Sequence, residues 1–565
     1  MISKYSTMKP YGIAIWYIVN LCFPIVAFSQ IRFVENAEPC GIDFVQTNGS
    51  RQKDYIVEAK GAGVAVADIN GDGWDDIYFV NGAYLHATVD ANSPRNQLYL
   101  NQGDGTFKNG TIESGLGDPG FGVGAYFADV DNDGDLDCYL TNYGPNQLYR
   151  NDGAGRFEMI PNAGGAQNEG WSTGAAFADI DGDGYLDLYV GQYAVFSPEI
   201  ADRKGKYAPY FGTMSFIGPS AFPPAEDNLF LNNGDGTFRD VTKERGINGF
   251  ECGRAFTVHF TDIDSDGDFD IYIANDTTAN HLYENMGNGF FEDISLLAGV
   301  ALSDNGKEQG GMGVAIKDVD GDLDPDIAVA NYQNEYNILY RNDGRLQFTD
   351  NSYKSGVSQG TVEKVSFGMI VEDFDNDAWP DMFVSAGHVY PVADQLPMLH
   401  GYAQKNLFFR NRGKGIFDNR SNEIGPASDL AGVSRGCAAA DFDHDGDLDI
   451  VVNNLDGAPF FLENQSHTGN WLQIAIQNEE GMPAFGSRVV VTTGERTQMA
   501  ELYSSGSFLS QNSAVLHFGL ADATLVENVR IRRPDGVWKE WSRLPINRKI
   551  VIRKNVMDNG KSNGQ

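Results

Sequence analysis

The stretch Ala178-Asp-Ile-Asp-Gly-Asp-Gly-Tyr-Leu-Asp-Leu-Tyr-Val190 decides the fold, because an acidic turn of this form, followed by a strand-like apolar run, occurs seven times in the chain. Counted from the first Asp, oxygen side chains fall at positions 1, 3, 5 and 9, here Asp179, Asp181, Asp183 and Asp187. Gly184 stands at position 6, and Tyr185 offers its carbonyl at position 7. Hard cations such as calcium take roughly six to eight oxygens in flexible geometry, and alternate positions of a tight turn aim theirs at one centre. The other copies use Asp68, Asn70, Asp72 and Asp76; Asp129, Asp131, Asp133 and Asp137; and Asp262, Asp264, Asp266 and Asp270. Then come Asp318, Asp320, Asp322 and Asp326; Asp373, Asp375, Asp377 and Asp381; and Asp441, Asp443, Asp445 and Asp449. A solvated acidic turn explains any single copy, but not seven in one frame.

The same opening begins an EF-hand loop, which needs a bidentate Glu at position 12. Here position 12 is Phe79, Leu140, Val190, Ile273, Val329, Val384 or Val452, inside short β-branched and aromatic runs that read as buried strands. The loops therefore join strand to strand. Five residues before each first Asp stands Gly63, Gly124, Gly174, Thr257, Gly313, Gly368 or Gly436, small enough for close approach of inner strands. Downstream, a third strand ends in Asn101, Asn151, Asn232, Asn285, Asn342 or Asn411, and a Gly-rich turn leads into a fourth. Each unit is thus predicted to be a four-stranded antiparallel meander.

The fourth strand opens with Phe107, Phe157, Phe238, Phe291, Phe348 or Phe417, and a Gly lies eight residues on each time. The seventh loop is followed by Phe460-Phe-Leu-Glu-Asn464 but by no such strand; the same signature, Phe33 and Gly41, sits at the other end of the chain. The N-terminal segment is therefore expected to supply the outer strand of the last unit and close a seven-bladed β-propeller. An open solenoid of the same units is the alternative, and it leaves Phe33 unexplained.

At 565 residues the chain calls for one large array plus a smaller domain. Its net charge of −37 argues against nucleic acid as a partner. Lys4 and Lys9 precede an apolar run and Ala27-Phe-Ser29, the pattern of a signal peptide over 1–29 cut before Gln30, with an uncleaved anchor as the alternative. After cleavage no membrane span is expected. Export places the loops in millimolar calcium, and leaves the pairing of Cys40, Cys138, Cys252 and Cys437 open. The propeller is expected over 30–464, a small β-sandwich-like domain over 465–555 and a disordered tail over 556–565. Within the small domain the expected strands are 471–476, 488–492, 499–503, 514–518, 526–531 and 549–552.

These residues resemble the FG-GAP/VCBS-repeat propellers that carry a C-terminal ASPIC/UnbV domain. The resemblance rests on the seven loops, on Asn275-Asp-Thr-Thr-Ala-Asn280, Gly311-Met-Gly-Val314 and Gly387-His-Val-Tyr-Pro391, and on Gly469-Asn-Trp-Leu472, Gly486-Ser-Arg-Val489, Leu516-His-Phe-Gly-Leu520 and Arg533-Pro-Asp-Gly536. It implies a secreted calcium-binding protein linked to adhesion or matrix contact. Two loops depart from the pattern at position 6, with Leu323 and Ala378 where a left-handed backbone favours Gly; these are expected to bind calcium most weakly or to adopt another turn.

Strand alternation puts the metal loops and Gly-rich hairpins on one face, and the long connections 191–227 and 386–405 on the other. That second face collects Asp276, Glu335, His388, Tyr402, Gln404 and Arg435, suited either to tying the loops down or to binding a polar ligand. The sequence carries no G-x-S-x-G, H-E-x-x-H or phosphate-cradling motif. The expected function is a calcium-stabilised adhesion or ligand-binding scaffold holding up to seven ions, its partner an extracellular or cell-surface protein or glycan. An extracytoplasmic enzyme acting on a polysaccharide through His388 is the alternative.

Overall fold

A computed structural model of the chain describes residues 31–86, 88–247, 252–466, 468–553 and 556–558; the expected signal peptide lies outside these residues. The fold is all-β with a few single-turn helices. Seven four-stranded antiparallel sheets share one plan, and five of them take their strands consecutively from the chain; in the third, a two-stranded hairpin of Tyr207–Tyr210 and Thr213–Phe216 intervenes between the second and third strands. In the seventh, Ser434–Ala440, Asp449–Asn454 and Phe460–Asn464 are completed by Phe33–Glu35, which pairs antiparallel with Phe33 opposite Asn464. Phe33 is fully buried against Phe374 and Phe408. The first strands, Val64–Ala67, Gly122–Ala128, Ser172–Ala178, Ala255–Thr261, Val314–Lys317, Ser366–Glu372 and Ser434–Ala440, contact one another in that order, and the last contacts the first. The array is a closed ring.

The recurrent small residues explain how neighbouring sheets pack. A Cβ on Gly313 would stand 2.3 Å from the Phe367 carbonyl of the next first strand, and one on Gly174 would stand 2.4 Å from that of Phe256. The Gly eight residues after each outer Phe has positive φ and abuts the outer Phe of the following sheet: Gly115 faces Phe157, Gly246 faces Phe291 and, across the closure, Gly41 faces Phe107.

Residues 470–558 form two further four-stranded sheets. One holds Asn470–Gln477, Val515–Ala521, Lys549–Arg553 and Val556–Asp558; the other holds Arg488–Thr493, Arg496–Glu501, Val526–Arg532 and Trp538–Leu544. The domain therefore runs to Asp558, further than the expected boundary at 555, because Val556–Asp558 pairs with Lys549–Arg553. The strand Trp538–Leu544 escapes a pattern-based reading: it alternates half-exposed and exposed residues at a sheet edge.

The small domain is not a bystander at the seam. Its segment from Tyr503 to Ser513 enters the axis of the ring from the metal-loop face. Ser504 Oγ accepts from the Phe177 amide at 2.7 Å, Gln511 Oε1 accepts from that of Phe127 at 2.7 Å, and Ser510 Oγ accepts from that of Val64 at 3.2 Å. Phe508, fully buried, packs between Phe256 and Phe367 with ring centroids 5.0 Å away on each side. From the opposite face the segment 48–61 enters with Val57 and Ala59 in the same apolar core. The axis is filled from both ends.

Candidate metal centres

Each acidic loop is built by its own backbone. In the first, the Asp72 and Gly73 amides donate to Asp68 Oδ1 and Oδ2 at 3.0 and 2.9 Å, and the Ile69 amide donates to Asp76 Oδ2 at 3.1 Å. The position-9 Asp also accepts from the amide of the third-strand Asn in all seven units, at 2.7–2.9 Å. In most units the Asn side chain then reaches the preceding loop. Asn101 Nδ2 donates to Phe442 O at 2.9 Å, Asn232 Nδ2 to Val130 O at 2.7 Å and Asn464 Nδ2 to Phe374 O at 2.9 Å. In six of the seven units the recurrent Asn thus ties one acidic loop to its neighbour around the ring, whereas Asn285 Nδ2 donates within its own loop, to Phe269 O.

Carboxylates converge in these turns. Asp129, Asp131 and Asp137 form one group in which an oxygen of each lies within 4.8 Å of the others; so do Asp179, Asp181 and Asp187; Asp262, Asp264 and Asp266; Asp318, Asp320 and Asp326; and Asp373, Asp375 and Asp381. Burial pushes Asp76, Asp137 and Asp187 up to about 8, and Asp270, Asp326, Asp381 and Asp449 well above the usual carboxylate range, with neighbouring acids adding to the rise. Asp131 Oδ1 and Asp381 Oδ2 are buried with no hydrogen-bond donor among the described residues. A buried carboxylate that its hydrogen bonds do not satisfy calls for a proton or a cation. All-oxygen sets with bare acceptors fit a hard divalent ion.

The two departures keep the common turn. Leu323 and Ala378 take φ of 75° and 71°, alongside 95° at Gly73 and 91° at Gly184, so the loop imposes the left-handed conformation on both side chains. The fourth loop differs in another way. Asp262 Oδ2, which in the other loops would face the position-6 amide, meets Arg532 and Arg488 of the small domain, while Gly267 donates to Oδ1 at 3.3 Å. The domain touches other loops as well: Gln473 Nε2 donates to Asp441 Oδ2 at 2.7 Å, Ser513 Oγ to Asp75 Oδ2 at 2.6 Å, and His517 meets Asn376.

On the opposite face five of the six candidate ligand side chains are already engaged, and the buried Tyr402 hydroxyl has no hydrogen-bond partner among the described residues. Asp276 is buried and takes Lys60 Nζ at 2.9 Å and the Tyr193 hydroxyl at 2.5 Å. His388 is fully buried; its Nδ1 accepts from the Tyr390 amide at 2.9 Å and its Nε2 meets Gln333 Oε1 at 3.1 Å. Burial and nearby Arg435 push its pKa down to about 4. Arg435, fully buried, donates to the carbonyls of Ala59, Gly387, Ser434 and His388. Gln404 takes the Val365 amide and Glu335 that of Gly310, while the Tyr402 carbonyl accepts from the His388 amide. These contacts fasten the long connections and the segment 48–61 to the ring. The described cysteines, Cys40, Cys138, Cys252 and Cys437, are all unpaired.

The profile described as FG-GAP-like repeat matches residues 68–140, 129–190, 220–273, 262–329, 318–384 and 393–452, well over half of the chain, and that described as ASPIC and UnbV matches 477–558. The chain belongs to the FG-GAP-repeat family. Among named relatives of this family, it is 28% identical to mouse cartilage acidic protein 1 over 347 residues, covering 59% of this chain and 50% of the mouse protein. It is 28% identical to the human protein over 361 residues, covering 61% of this chain and 51% of that one. The FG-GAP chain therefore spans about half the length of these relatives. A solved structure on specific recognition of non-reducing terminal N-acetylglucosamine by an Agrocybe aegerita lectin aligns with a TM-score of 0.38 and 19% identity, over 70% of this chain and 86% of that one. YCF48 bound to D1 peptide aligns at 0.32 and 8%, over 57% and 73%. Similarity at that level carries no functional argument.

Proposed function

We propose that this protein is an exported seven-bladed calcium-binding propeller that serves as an adhesion or ligand-binding scaffold. The observation that carries the calcium reading is the convergence of buried carboxylates, with bare oxygens at Asp131 and Asp381, inside turns that repeat around a closed ring. Calcium is structural in this reading: at about 1 mM ion and a dissociation constant near 0.1 mM, each site contributes about 1.4 kcal/mol. Several sites together approach the whole stability of an ordinary domain, about 5–15 kcal/mol. The scaffold reading is supported by family membership. No observation favours an enzyme acting through His388, whose two ring nitrogens are both occupied in the core.

Calorimetric calcium titration, paired with thermal melts in calcium and in excess EDTA, tests the reading. Multiple bound ions and a melting temperature lowered by many degrees in EDTA are expected. An identical melt in both conditions would remove the structural role.

A further inference from the structure

We infer that the fourth acidic loop, 262–270, is the docking socket of the C-terminal domain and takes no calcium, because the guanidiniums of Arg488 and Arg532 stand in for the ion. The inference rests on the calcium reading of the other loops and sets the fourth apart from them. In those six the first Asp is held by its own turn, one oxygen taking the position-6 amide and the other an amide at position 4 or 5. Asp129 takes the Asp133 and Gly134 amides at 3.1 and 3.2 Å, and Asp441 those of Asp445 and Gly446 at 3.1 and 2.9 Å. Each oxygen so held keeps a lone pair for a cation.

Asp262 departs from that plan. The Gly267 amide at position 6 donates to Oδ1 at 3.3 Å, while the position-5 amide, of Asp266, donates to Asp264 Oδ1 at 3.2 Å. The other oxygen of Asp262 faces the C-terminal domain, paired with Arg532 and 3.7 Å from Arg488 Nη2. Arg488 also donates to the Asp262 carbonyl and to Ser265 Oγ at position 4. Glu501 completes the cluster: its Oε1 accepts from the Asp262 amide at 3.1 Å, and its Oε2 accepts from the Thr261 hydroxyl at 3.2 Å and lies 3.4 Å from Arg488. All four charged residues are buried. Beside them a Cβ on Gly486 would stand 2.0 Å from Phe269 Cζ, so the domain backbone also closes onto position 8 of the same loop.

The buried cluster balances its own charge, with Asp262 and Glu501 against Arg488 and Arg532. A guanidinium is weakly hydrated and matches a carboxylate through a fork of donors, which suits it to a buried pair. A calcium ion needs about six to eight oxygens, and in this loop it would lose one from the first Asp and meet two fixed positive charges. The convergent carboxylates differ accordingly: they stand at positions 1, 3 and 9 in the second, third, fifth and sixth loops, but the group in the fourth is Asp262, Asp264 and Asp266, without Asp270. Guanidiniums touch other loops at positions 3 and 5 only, with Arg150 on Asp131 at 3.0 Å, Arg245 on Asp181 at 3.3 Å, and Arg410 on Asp375 and Asp377 at 2.7 and 3.0 Å. Those arginines belong to the ring, and the first Asp beside each keeps its two amides.

Calorimetric titration of the full chain with calcium counts the ions and tests the assignment. Asp264→Asn combined with Asp266→Asn keeps the acceptors for the Asp266 and Asp268 amides, and should leave the count unchanged. The matching pair in the third loop, Asp181→Asn with Asp183→Asn, should lower it by one. Loss of an ion from the fourth-loop variant would overturn the inference while leaving the calcium reading intact. Equal counts in both variants would overturn it too, since the fourth loop would then not differ from the third. A parent that binds no ion would remove the calcium reading itself, and the contrast with it. Arg488→Gln combined with Arg532→Gln clears both guanidiniums from Asp262, and should raise the count by one. A folded double variant that keeps the parent's count would refute the claim that the guanidiniums stand in for the ion.

Discussion

Removing the Phe508 ring should unseat the C-terminal domain from the axis while leaving each sheet's own ladder unbroken. Phe508 lies within the small domain, yet its fully buried ring packs only 5.0 Å from Phe256 and from Phe367, both in first strands of the ring. Phe→Ala at such a site costs about 3–5 kcal/mol. At about 1.4 kcal/mol per decade, the population in which the Tyr503–Ser513 segment has left the axis rises by about two to nearly four orders of magnitude. Hydrogen exchange can read that population directly. The Phe127, Phe177 and Val64 amides donate to side chains of the plug, so they exchange when it withdraws. In Phe508→Ala these three amides, far apart in sequence and in three different sheets, should speed up together. Exchange that accelerates only within 470–558, with Phe127, Phe177 and Val64 as slow as before, would refute the claim that the segment seals the axis.

Other perturbations test the remaining contacts. Leu323→Gly and Ala378→Gly each relieve a left-handed side chain worth about 1–2 kcal/mol, partly offset by the extra freedom of an unfolded Gly. A net gain of about 0.5–1 kcal/mol in denaturant midpoint experiments is expected, and a loss would contradict the strain argument. Lys60→Met leaves Asp276 buried with only the Tyr193 hydroxyl, and should cost about 3–5 kcal/mol by the same measurement; a neutral result would show that the pair is dispensable. In EDTA, Asp76, Asp137 and Asp187 hold protons up to about 8, against about 3.9 for an unfolded Asp, so this stabilisation is complete at low pH and lost as pH rises through about 8. The buried imidazoles of His259, His388, His444 and His517 act oppositely, but only from about 6.5 downward. Between pH 6.5 and 8.5 the melting temperature in EDTA should therefore fall, and saturating calcium, which takes the place of those protons, should abolish the fall.

The ring was legible because its repeating signals are backbone requirements. The Gly eight residues after each outer Phe marks contact with the next sheet, which is why Phe33 and Gly41 placed the closing strand correctly. The acidic turns were legible by spacing alone. The role of the terminal Asn in the third strand was not, since in six of the seven units its side chain bonds to a loop in the preceding sheet that lies close in space and distant in sequence. The Tyr503–Ser513 segment reads as an ordinary Ser/Gly linker, because its partners are main-chain amides and nothing in its composition names them. Of the two roles that the sequence leaves open for the second face, its contacts are those of loop fastening, but the partners that do the fastening were not legible. The segment 48–61, whose register no pattern announces, supplies Lys60 to Asp276 and the Ala59 carbonyl to Arg435, while His388 is held by Gln333 and the Tyr390 amide.

The small domain and the metal loops share a face, and this couples them. Arg488, which stands in the Gly486-Ser-Arg-Val489 motif, and Arg532 sit on Asp262; Gln473 binds Asp441; Ser513 binds Asp75. An ion that orders these turns orders the surface on which the domain rests. By reciprocity, any factor by which calcium tightens docking is the factor by which docking tightens calcium. The arrangement is uneven, because two guanidiniums beside Asp262 already supply positive charge to the fourth loop, whereas Gln473 and Ser513 supply none to the seventh and first. Coupling through the fourth loop therefore opposes an added cation, and coupling through the other two supports one. Arg488 and His517, which stand inside motifs that mark the C-terminal domain in sequence, are in this fold among the residues that grip the acidic-loop face of the ring, beside Arg532, Gln473 and Ser513, which stand outside them.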